Sequence, residues 1–461
     1  MSKHKIVSLA RTITLTASLA LSACAVGPDY HKPAITAAAA WSQQPGAVLA
    51  AGERNVRSSW WTSFHDEKLN KIVQKALAQN FDLKIAQARI LEARALKLNA
   101  SSTLYPEINA SGSAERGNPG LLTQNKALDL YQGGFDASYE LDLFGGNRRK
   151  VEASSAMVGS REASYQDLSI TLVAEVVNEY ATLRELQTRY GITKQMAETQ
   201  KRLADFNTAK FSNGAASDLE VQQSNALYQT TAANLPALAR EATAAIYRIS
   251  VLTGTENDEV VTLLSVTENV PAADHAPIMD APAAVLARRP DIAEAERNLA
   301  ANTALKGAAI SEMYPKISLS ALFGWQNTSL LPSATIWSLA SGFAMPILNF
   351  GRIQGDIKAA DARQQQAFQA YKKTVIAAVA EVETKLSDYA RNREHTISLK
   401  AALDSNNKAL QMSHLRFDRG LTPLIDVLDA ENKTFAARNA YITALADEAR
   451  SVAALEKSGG F

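Results

Sequence analysis

The sequence predicts a mixed α and β membrane protein in which one unit of long helices and paired strands occurs twice. Internal repetition is the first observation: Val-Ala-Glu-Val stands at 173–176 and again at 379–382, an offset of 206 residues. The same offset relates Phe144-Gly145 to Phe350-Gly351. Repetition at a fixed spacing indicates one structural unit that is used more than once. We therefore expect a first copy at 61–254, a proline-containing connector at 255–288, a second copy at 289–455 and a short tail at 456–461.

Strand-like alternation is the second observation. Each copy begins with a helical segment, 82–101 and 291–311, that ends before a Tyr-Pro pair, because proline disfavours helix in the preceding residue. The apolar period then changes to two, as expected for strands. The alternating stretches are 107–115, 135–143, 317–325 and a weaker one near 336–348 that ends around Pro346.

These stretches are near the ~9–11 residues that a tilted strand needs to cross a bilayer. A half-buried strand of a soluble protein shows the same alternation, so no single stretch decides the question. Four strands cannot close around a lumen, and open sheet edges are not tolerated in lipid. If these strands span a membrane, several chains must share one barrel, and three chains would give twelve strands.

Two long proline-free stretches are the third observation. They run over 147–211 and 352–417, and each would form a helix of roughly 98 Å at about 1.5 Å per residue. Such a helix must pack beside others, and Val375, Val379, Val382, Leu386 and Tyr389 have the alternating spacing of a heptad seam. A return helix follows each, at 217–253 and 423–455, and Pro236 is expected to interrupt the first of them.

The N-terminus has the pattern of a secretory signal, which we assign to residues 1–23. Basic residues precede an apolar, threonine-rich centre, and Leu-Ser-Ala-Cys ends at Cys24. Cys24 is the only cysteine, so no internal disulfide can form. The motif resembles the lipobox of bacterial lipoproteins, which implies a lipid on Cys24, a tether at 24–60 and, from Ala25 at the next position, the outer membrane. The alternative is an ordinary signal with an incidental cysteine.

Composition and residue spacing point away from several other functions. The net charge is +1, from 48 basic and 47 acidic residues without a long basic run, so nucleic acid is not expected as a partner. No run of 18 apolar residues follows the signal, so no membrane-spanning helix is expected. The six histidines lie far apart and the seven methionines are not clustered. We expect neither an enzyme nor a metal site, and no cofactor apart from the lipid on Cys24.

With these parts in place, the chain resembles the outer-membrane efflux factors, the TolC-like family, and specifically its lipoprotein branch. The motifs that carry this resemblance are spread over nearly all of the mature chain: CAVGPDYHKP from Cys24, LARRPDIAEAERNLAAN from Leu286, YPKISLSALFG from Tyr314, PILNFGR from Pro346 and GLTPLIDVLDA from Gly420.

The resemblance implies a homotrimer with a 12-stranded β-barrel in the outer membrane and a periplasmic α-barrel of long coiled-coil-like helices. Such a channel is the exit duct for compounds that an inner-membrane pump delivers through a periplasmic adaptor protein. Efflux of drugs or other small toxic compounds is our first interpretation. Heavy-metal efflux and type I protein secretion are alternatives, and a lipid-anchored coiled-coil scaffold is a remote one.

The same turn follows each long helix. Both copies read Gly, five residues, acid, Val, at Gly214 to Glu220 and at Gly420 to Asp426. In the family these turns are the periplasmic tips, and acids of the second copy line the pore. By resemblance Asp426 and Asp429 form a gate that favours cations. The further tip residues implied are the aromatic latch position Phe417 and its first-copy counterpart Phe211.

The gate interpretation has a rival and one departure from the family. Acids at a helix start also complement the helix dipole and help to cap it, which needs no pore. Many relatives have a basic residue two positions after the tip glycine, where this chain has Thr422. Arg416 and Arg419 are the candidates to replace it.

Overall fold

The computed structural model of the chain describes residues 25–34, 38–42, 59–118, 127–273, 279–329 and 332–461. The expected signal at 1–23, the lipid attachment residue Cys24 and most of the tether lie outside the described residues.

The described elements follow the same order in both copies. The first copy contains α1 (Glu67–Gln79), α2 (Phe81–Ser102), β1 (Glu107–Gly117), β2 (Leu128–Leu141), α3 (Gly146–Ser212), α4 (Asp218–Ala232) and α5 (Leu235–Thr253). Two short helices follow, α6 (Asn257–Leu264) and α7 (Pro282–Arg288). The second copy contains α8 (Pro290–Ser311), β3 (Lys316–Thr328), β4 (Ala334–Ala344), α9 (Arg352–Asp418) and α10 (Leu424–Ser458).

The strands form one antiparallel sheet in the order β1-β2-β3-β4. Its register places the apolar positions of all four strands on one face: Ala110 lies opposite Phe135, Phe135 opposite Phe323, and Phe323 opposite Trp337. Phe135, Phe323 and Trp337 are 60%, 62% and 75% exposed. The predicted alternation is therefore confirmed, and it produces an apolar face that the single chain leaves uncovered.

The two long helices are also confirmed. Helices α3 and α9 contain 67 residues each, so each is about 100 Å long. Of the expected seam, Val382, Leu386 and Tyr389 are buried, as are Val176 and Tyr180 at corresponding positions of the first copy. Among the described residues, no helix combines the length and the apolar character required to cross a membrane.

The contacts divide the described chain into two compact units. The sheet unit comprises the described residues up to Ala34, together with Ala88–Ala163 and Asp291–Thr374. The helical unit comprises the described part of Ile35–Gln87, together with Ser164–Pro290 and Val375–Phe461. The main hydrophobic core belongs to the helical unit, where its largest members include Trp60, Leu69, Tyr180, Tyr389 and Leu455.

The segment between the copies differs from the prediction. We expected a proline-containing connector without a core role, yet Val260 and Leu264 of α6 and Val285 and Leu286 of α7 are at most 4% exposed. Pro282 opens α7, at a helix position where a missing N–H is tolerated. The segment is therefore a structured part of the helical core. The expected break at Pro236 is confirmed, since α4 ends at Ala232 and α5 begins at Leu235.

Candidate functional site

The tip turn of the first copy stops α3 with a glycine in the left-handed region. Gly214 has φ +73°, and its N–H donates to the carbonyl of Phe211 at 2.9 Å. The N–H of Ala215 donates to the carbonyl of Lys210, also at 2.9 Å. This pair of bonds is the Schellman arrangement, which satisfies the last carbonyls of a helix and favours glycine at that position.

The tip turn of the second copy repeats this arrangement. Gly420 has φ +71°, its N–H donates to the carbonyl of Phe417 at 2.8 Å, and the N–H of Leu421 donates to the carbonyl of Arg416 at 2.9 Å. A substitution at either glycine would place a side chain in a conformation that costs roughly 1–2 kcal/mol. Equivalent residues therefore make equivalent turns in the two copies.

The helix that follows the first tip is capped by side chains. The Ser217 hydroxyl accepts from the Glu220 N–H at 3.3 Å, and the Glu220 carboxylate accepts from the Ser217 N–H at 2.7 Å, a complete capping box. The Ser217 N–H and the Ser217 hydroxyl, which lies 3.1 Å from the same carboxylate, lower the pKa of the Glu220 carboxyl. In the first copy the acid after the tip is therefore a capping residue.

The helix that follows the second tip starts differently. Pro423 occupies the capping position, and no side chain caps the helix. Asp426 lies in the first turn, where a negative charge complements the helix dipole. Asp429 lies one turn further and forms an ion pair of 2.5 Å with Lys433. Both carboxylates are exposed in the single chain. Because no side chain caps this helix, capping of the kind made by Glu220 does not account for them.

Thr422 stands where a basic residue was expected from the resemblance, two positions after the tip glycine. The hydroxyl of Thr422 is buried and has no hydrogen-bond partner within the part of the chain that the structure describes. Arg416 and Arg419, the candidate replacements for a basic residue there, lie exposed in the same turn. The single chain thus keeps both guanidinium groups available at the tip.

One pair near the second tip was missed by the sequence prediction. His414, one turn before Phe417, lies 3.6 Å from the Glu431 carboxylate on α10, whose side chain is 14% exposed. Burial raises the pKa of Glu431, while the nearby His414 and Arg202 act against the rise. The pair could have been predicted from the turn at Gly420, because a tight turn brings the two flanking helices side by side.

Replacing Glu431 by glutamine is expected to stabilise the protein at pH 7.5. Because the folded-state pKa is raised, the stability from Glu431 is present below its unfolded pKa of about 4.3 and is lost as pH rises through the folded pKa. At pH 7.5 burial penalises the charged form of the carboxyl, so Glu431→Gln should raise the melting temperature there and change it much less near pH 4.

Thermal unfolding of the purified protein at both pH values measures this difference. Glu241→Gln, at an exposed position on α5, is the matched control and should shift the melting temperature little at either pH. An equal shift of Glu431→Gln at both pH values would contradict the role of burial.

The match to a known protein family has two parts, one for each copy of the repeated unit. The family model described as "Outer membrane efflux protein" matches residues 72–255 and 281–460, one block for each copy. Paired strands joined to long helical hairpins, present twice, define an outer-membrane channel subunit. The chain belongs to the outer membrane efflux protein family. The second block starts beside Pro282, which places α7 with the second copy.

Individual relatives match over nearly their whole length. The chain is 29% identical over 455 residues to nodulation protein T of Rhizobium leguminosarum bv. viciae, covering 96% of this chain and 92% of the relative. It is 28% identical over 451 residues to the pyoverdine export outer membrane protein OpmQ of Pseudomonas aeruginosa, covering 95% and 93%. The solved structure of the outer-membrane channel OprN superposes with a TM-score of 0.86 at 32% identity, covering 95% of this chain and 99% of OprN.

Proposed function

We propose that the chain is the outer-membrane exit duct of a tripartite efflux system. It passes drugs or other small toxic compounds from an inner-membrane pump and a periplasmic adaptor protein to the cell exterior. The observation that carries this function is the duplicated arrangement of two 67-residue helices and a four-stranded sheet with an exposed apolar face. The export of pyoverdine by the relative OpmQ favours a small-molecule cargo. The pump supplies the energy, so the chain is a channel rather than an enzyme.

The duct is a homotrimer. In the described sheet, β1 and β4 each pair on one side only. Unpaired backbone groups are very costly in lipid, where water cannot replace the missing partner. Pairing of β1 with β4 of a neighbouring chain satisfies both edges, and three chains close a barrel of twelve strands. The trimeric channels of the family support this arrangement.

The second tip is the periplasmic gate. Asp426 and Asp429 are exposed and follow the Phe417–Gly420 turn that ends α9. The helix that carries them has no side-chain cap. Three copies would bring six carboxylates to one opening, which favours cation entry. Lys433 offsets part of the charge of Asp429, so Asp426 carries more of the selectivity. The first tip, with Phe211, Gly214 and Glu220, is the structural partner of this gate.

The chain is held in the outer membrane by its strands and by a lipid on Cys24. The lone cysteine at the end of the signal motif supports this modification, and the lipid is the one non-protein group that the duct requires. Its long helices extend into the periplasm, where adaptor and pump meet the tips.

Cross-linking at the tips tests the proposed duct. A photoreactive residue at Ser212 or Leu421 is expected to capture a periplasmic adaptor protein in cells, whereas the same residue at exposed Arg240 on α5 is the control. Deletion of the gene should raise susceptibility to small organic compounds, and the purified protein should run as a heat-modifiable trimer. A protein that is monomeric after mild extraction would contradict the duct, and loss of metal tolerance or protein secretion alone would contradict the small-molecule cargo.

A further inference from the structure

The residues that follow Cys24 bind to the sheet unit. The N–H of Val26 donates to the carbonyl of Phe144 at 3.0 Å, three residues after β2 ends. The ring of Phe144 stacks on that of Tyr314, with centroids 4.7 Å apart, just after α8. The N-terminal segment thus meets both copies of the chain where the strands join the helices.

Arg149 holds this segment from the first turn of α3. Its side chain is only 5% exposed, and it donates to the carbonyls of Val26 and Gly27, each at 3.4 Å, and to the Asp29 carboxylate at 2.7 Å. It also pairs with Glu152 at 2.8 Å. A buried guanidinium is stable only when its donors are paired, so the N-terminal segment supplies partners that Arg149 needs.

Gly27 brings the segment against α8. Its φ is +90°, and a Cβ atom at this position would lie 2.5 Å from the Cα of Gly307. A Cβ at Gly307 would in turn lie 3.0 Å from the Nε of Arg149. Glycine is therefore required at 27 both by conformation and by space.

Tyr30 ends the segment between the two copies. Its ring packs against a small cluster formed by Ala156 of α3 with Ala300 and Ala301 of α8. Its hydroxyl donates to the Glu296 carboxylate, which also accepts from Arg297. Burial disfavours the charge on Glu296, but the bonds from Arg297 and Tyr30 outweigh it, so the pKa of Glu296 is lowered. The contact combines apolar packing with a charged, buried acceptor.

We propose that Ala25–Tyr30 is a clasp that ties α3 of the first copy to α8 of the second copy and fixes where the N-terminal anchor leaves the protein. The helices it joins meet through alanines and through Gly159, whose Cβ would lie 3.1 Å from the Arg297 side chain. Such small side chains bury little apolar area. The Ser160 hydroxyl also donates to the Asn298 side-chain carbonyl at 3.1 Å, and the clasp adds its own bonds to both helices.

The position of the clasp assigns it a partner, the lipid surface. Ala25 is the residue next to Cys24, and Val26 is bonded at the end of β2. Because the clasp begins one residue after Cys24, a lipid on Cys24 is expected to enter the same bilayer as the strands. This second part rests on the proposed outer-membrane duct, whereas the tie between α3 and α8 does not.

Hydrogen exchange of the purified full-length protein tests the clasp. Gly27→Ala is expected to speed exchange of residues 25–30 and of α8 at least about tenfold, the equivalent of about 1.4 kcal/mol. Gly351→Ala is the matched control, because Gly351 has φ +92° but nothing within 4 Å of an added Cβ. It shares the conformational cost without the collision, and should change exchange of these segments less than about twofold.

A second variant keeps the test decisive if Gly27→Ala does not fold. Tyr30→Phe keeps the ring and loses the bond to Glu296, and it should speed exchange of residues 25–30 several-fold. If residues 25–30 exchange at the unprotected rate in the unaltered protein, or if Gly27→Ala and Gly351→Ala behave alike, the clasp is wrong.

Spin labelling in lipid nanodiscs tests the lipid partner separately. A label at partly exposed Ala25, introduced as Ala25→Cys, should be immobile and sense the membrane interface, and Gly27→Ala should mobilise it. An immobile label far from lipid would overturn the anchor position while leaving the tie between α3 and α8 in place. If residues 25–30 exchange slowly but the tip cross-links capture no adaptor protein, the proposed duct is contradicted and the clasp is not.

Discussion

Replacing Arg184 by methionine is expected to lower the free energy of unfolding by about 2–4 kcal/mol. Arg184 is fully buried on α3, and it donates to the carbonyl of Val266 at 2.7 Å, to the Tyr180 hydroxyl at 3.0 Å and to the Glu268 carboxylate at 2.9 Å. Methionine fills much of the volume but leaves these acceptors without their donor. The loss falls below the largest values for broken buried pairs, because Glu268 is 38% exposed and keeps Lys68 at 2.8 Å.

Urea unfolding of the purified protein in detergent, followed by the loss of helical circular dichroism, measures this change. Arg240→Met is the matched control: the Arg240 side chain is 77% exposed, so its removal should change stability by less than about 0.5 kcal/mol. A loss below about 1 kcal/mol in Arg184→Met would show that water already reaches the acceptors around it.

Removing both tip acids is expected to lower the cation selectivity of the channel at least about fivefold. A unit charge about 4 Å from a passing ion in a water-like medium is worth about 1 kcal/mol, which corresponds to that factor. The single variants should differ, because Lys433 pairs a full positive charge with Asp429, whereas the helix dipole beside Asp426 is equivalent to only about half a charge. Asp426→Ala should therefore reduce selectivity more than Asp429→Ala.

Single-channel recordings in a salt gradient give the cation-to-anion permeability ratio of each variant. Lys433→Ala provides a test of opposite sign, because it frees the Asp429 charge and should raise cation selectivity. Glu241→Ala, an exposed acid on α5, controls for charge outside the gate. Unchanged selectivity in the double variant, or a decrease in Lys433→Ala, would rule out a carboxylate gate at this tip.

Elements with a strong period could be predicted from sequence because their period is a local property. The alternation from Phe135 and the proline-free stretch after Gly351 each identify an element whose face or length is repeated over many residues. The start of β2 was placed too late, since Gln132, Gly133 and Gly134 interrupt the apolar pattern. Pairing with strands on both sides holds these residues in the sheet, and that information lies in other parts of the chain.

Tertiary burial was less predictable. Prolines between the copies indicated a connector, but Pro282 and Pro290 are the first residues of α7 and α8. Proline at such a position starts a helix instead of breaking one, because the first N–H groups have no partner inside the helix. The burial of Arg184 could not be predicted either, because Val266 and Glu268, which accept hydrogen bonds from its guanidinium group, lie about 80 residues further along the chain.

The candidate site was predicted as two turns and two acids, and the structure adds their neighbours. The turns follow from glycines with obvious conformational requirements. Lys433 and Glu431 have no such local signature, and they matter because of where α10 packs after the turn. Sequence therefore predicted the two acids of the proposed gate, while the charges beside them required the folded hairpin.

The different helix starts after the two tips have a mechanical consequence. Side-chain capping of the kind made by Ser217 and Glu220 is worth about 1 kcal/mol to the first turn of a helix. The turn that begins at Leu424 lacks this support and frays more readily. The two similar copies therefore differ at their tips, because the helix that follows Gly214 is capped by side chains and the helix that follows Gly420 is not. We therefore expect the first turn of α10, which bears Asp426, to open more often than the first turn of α4.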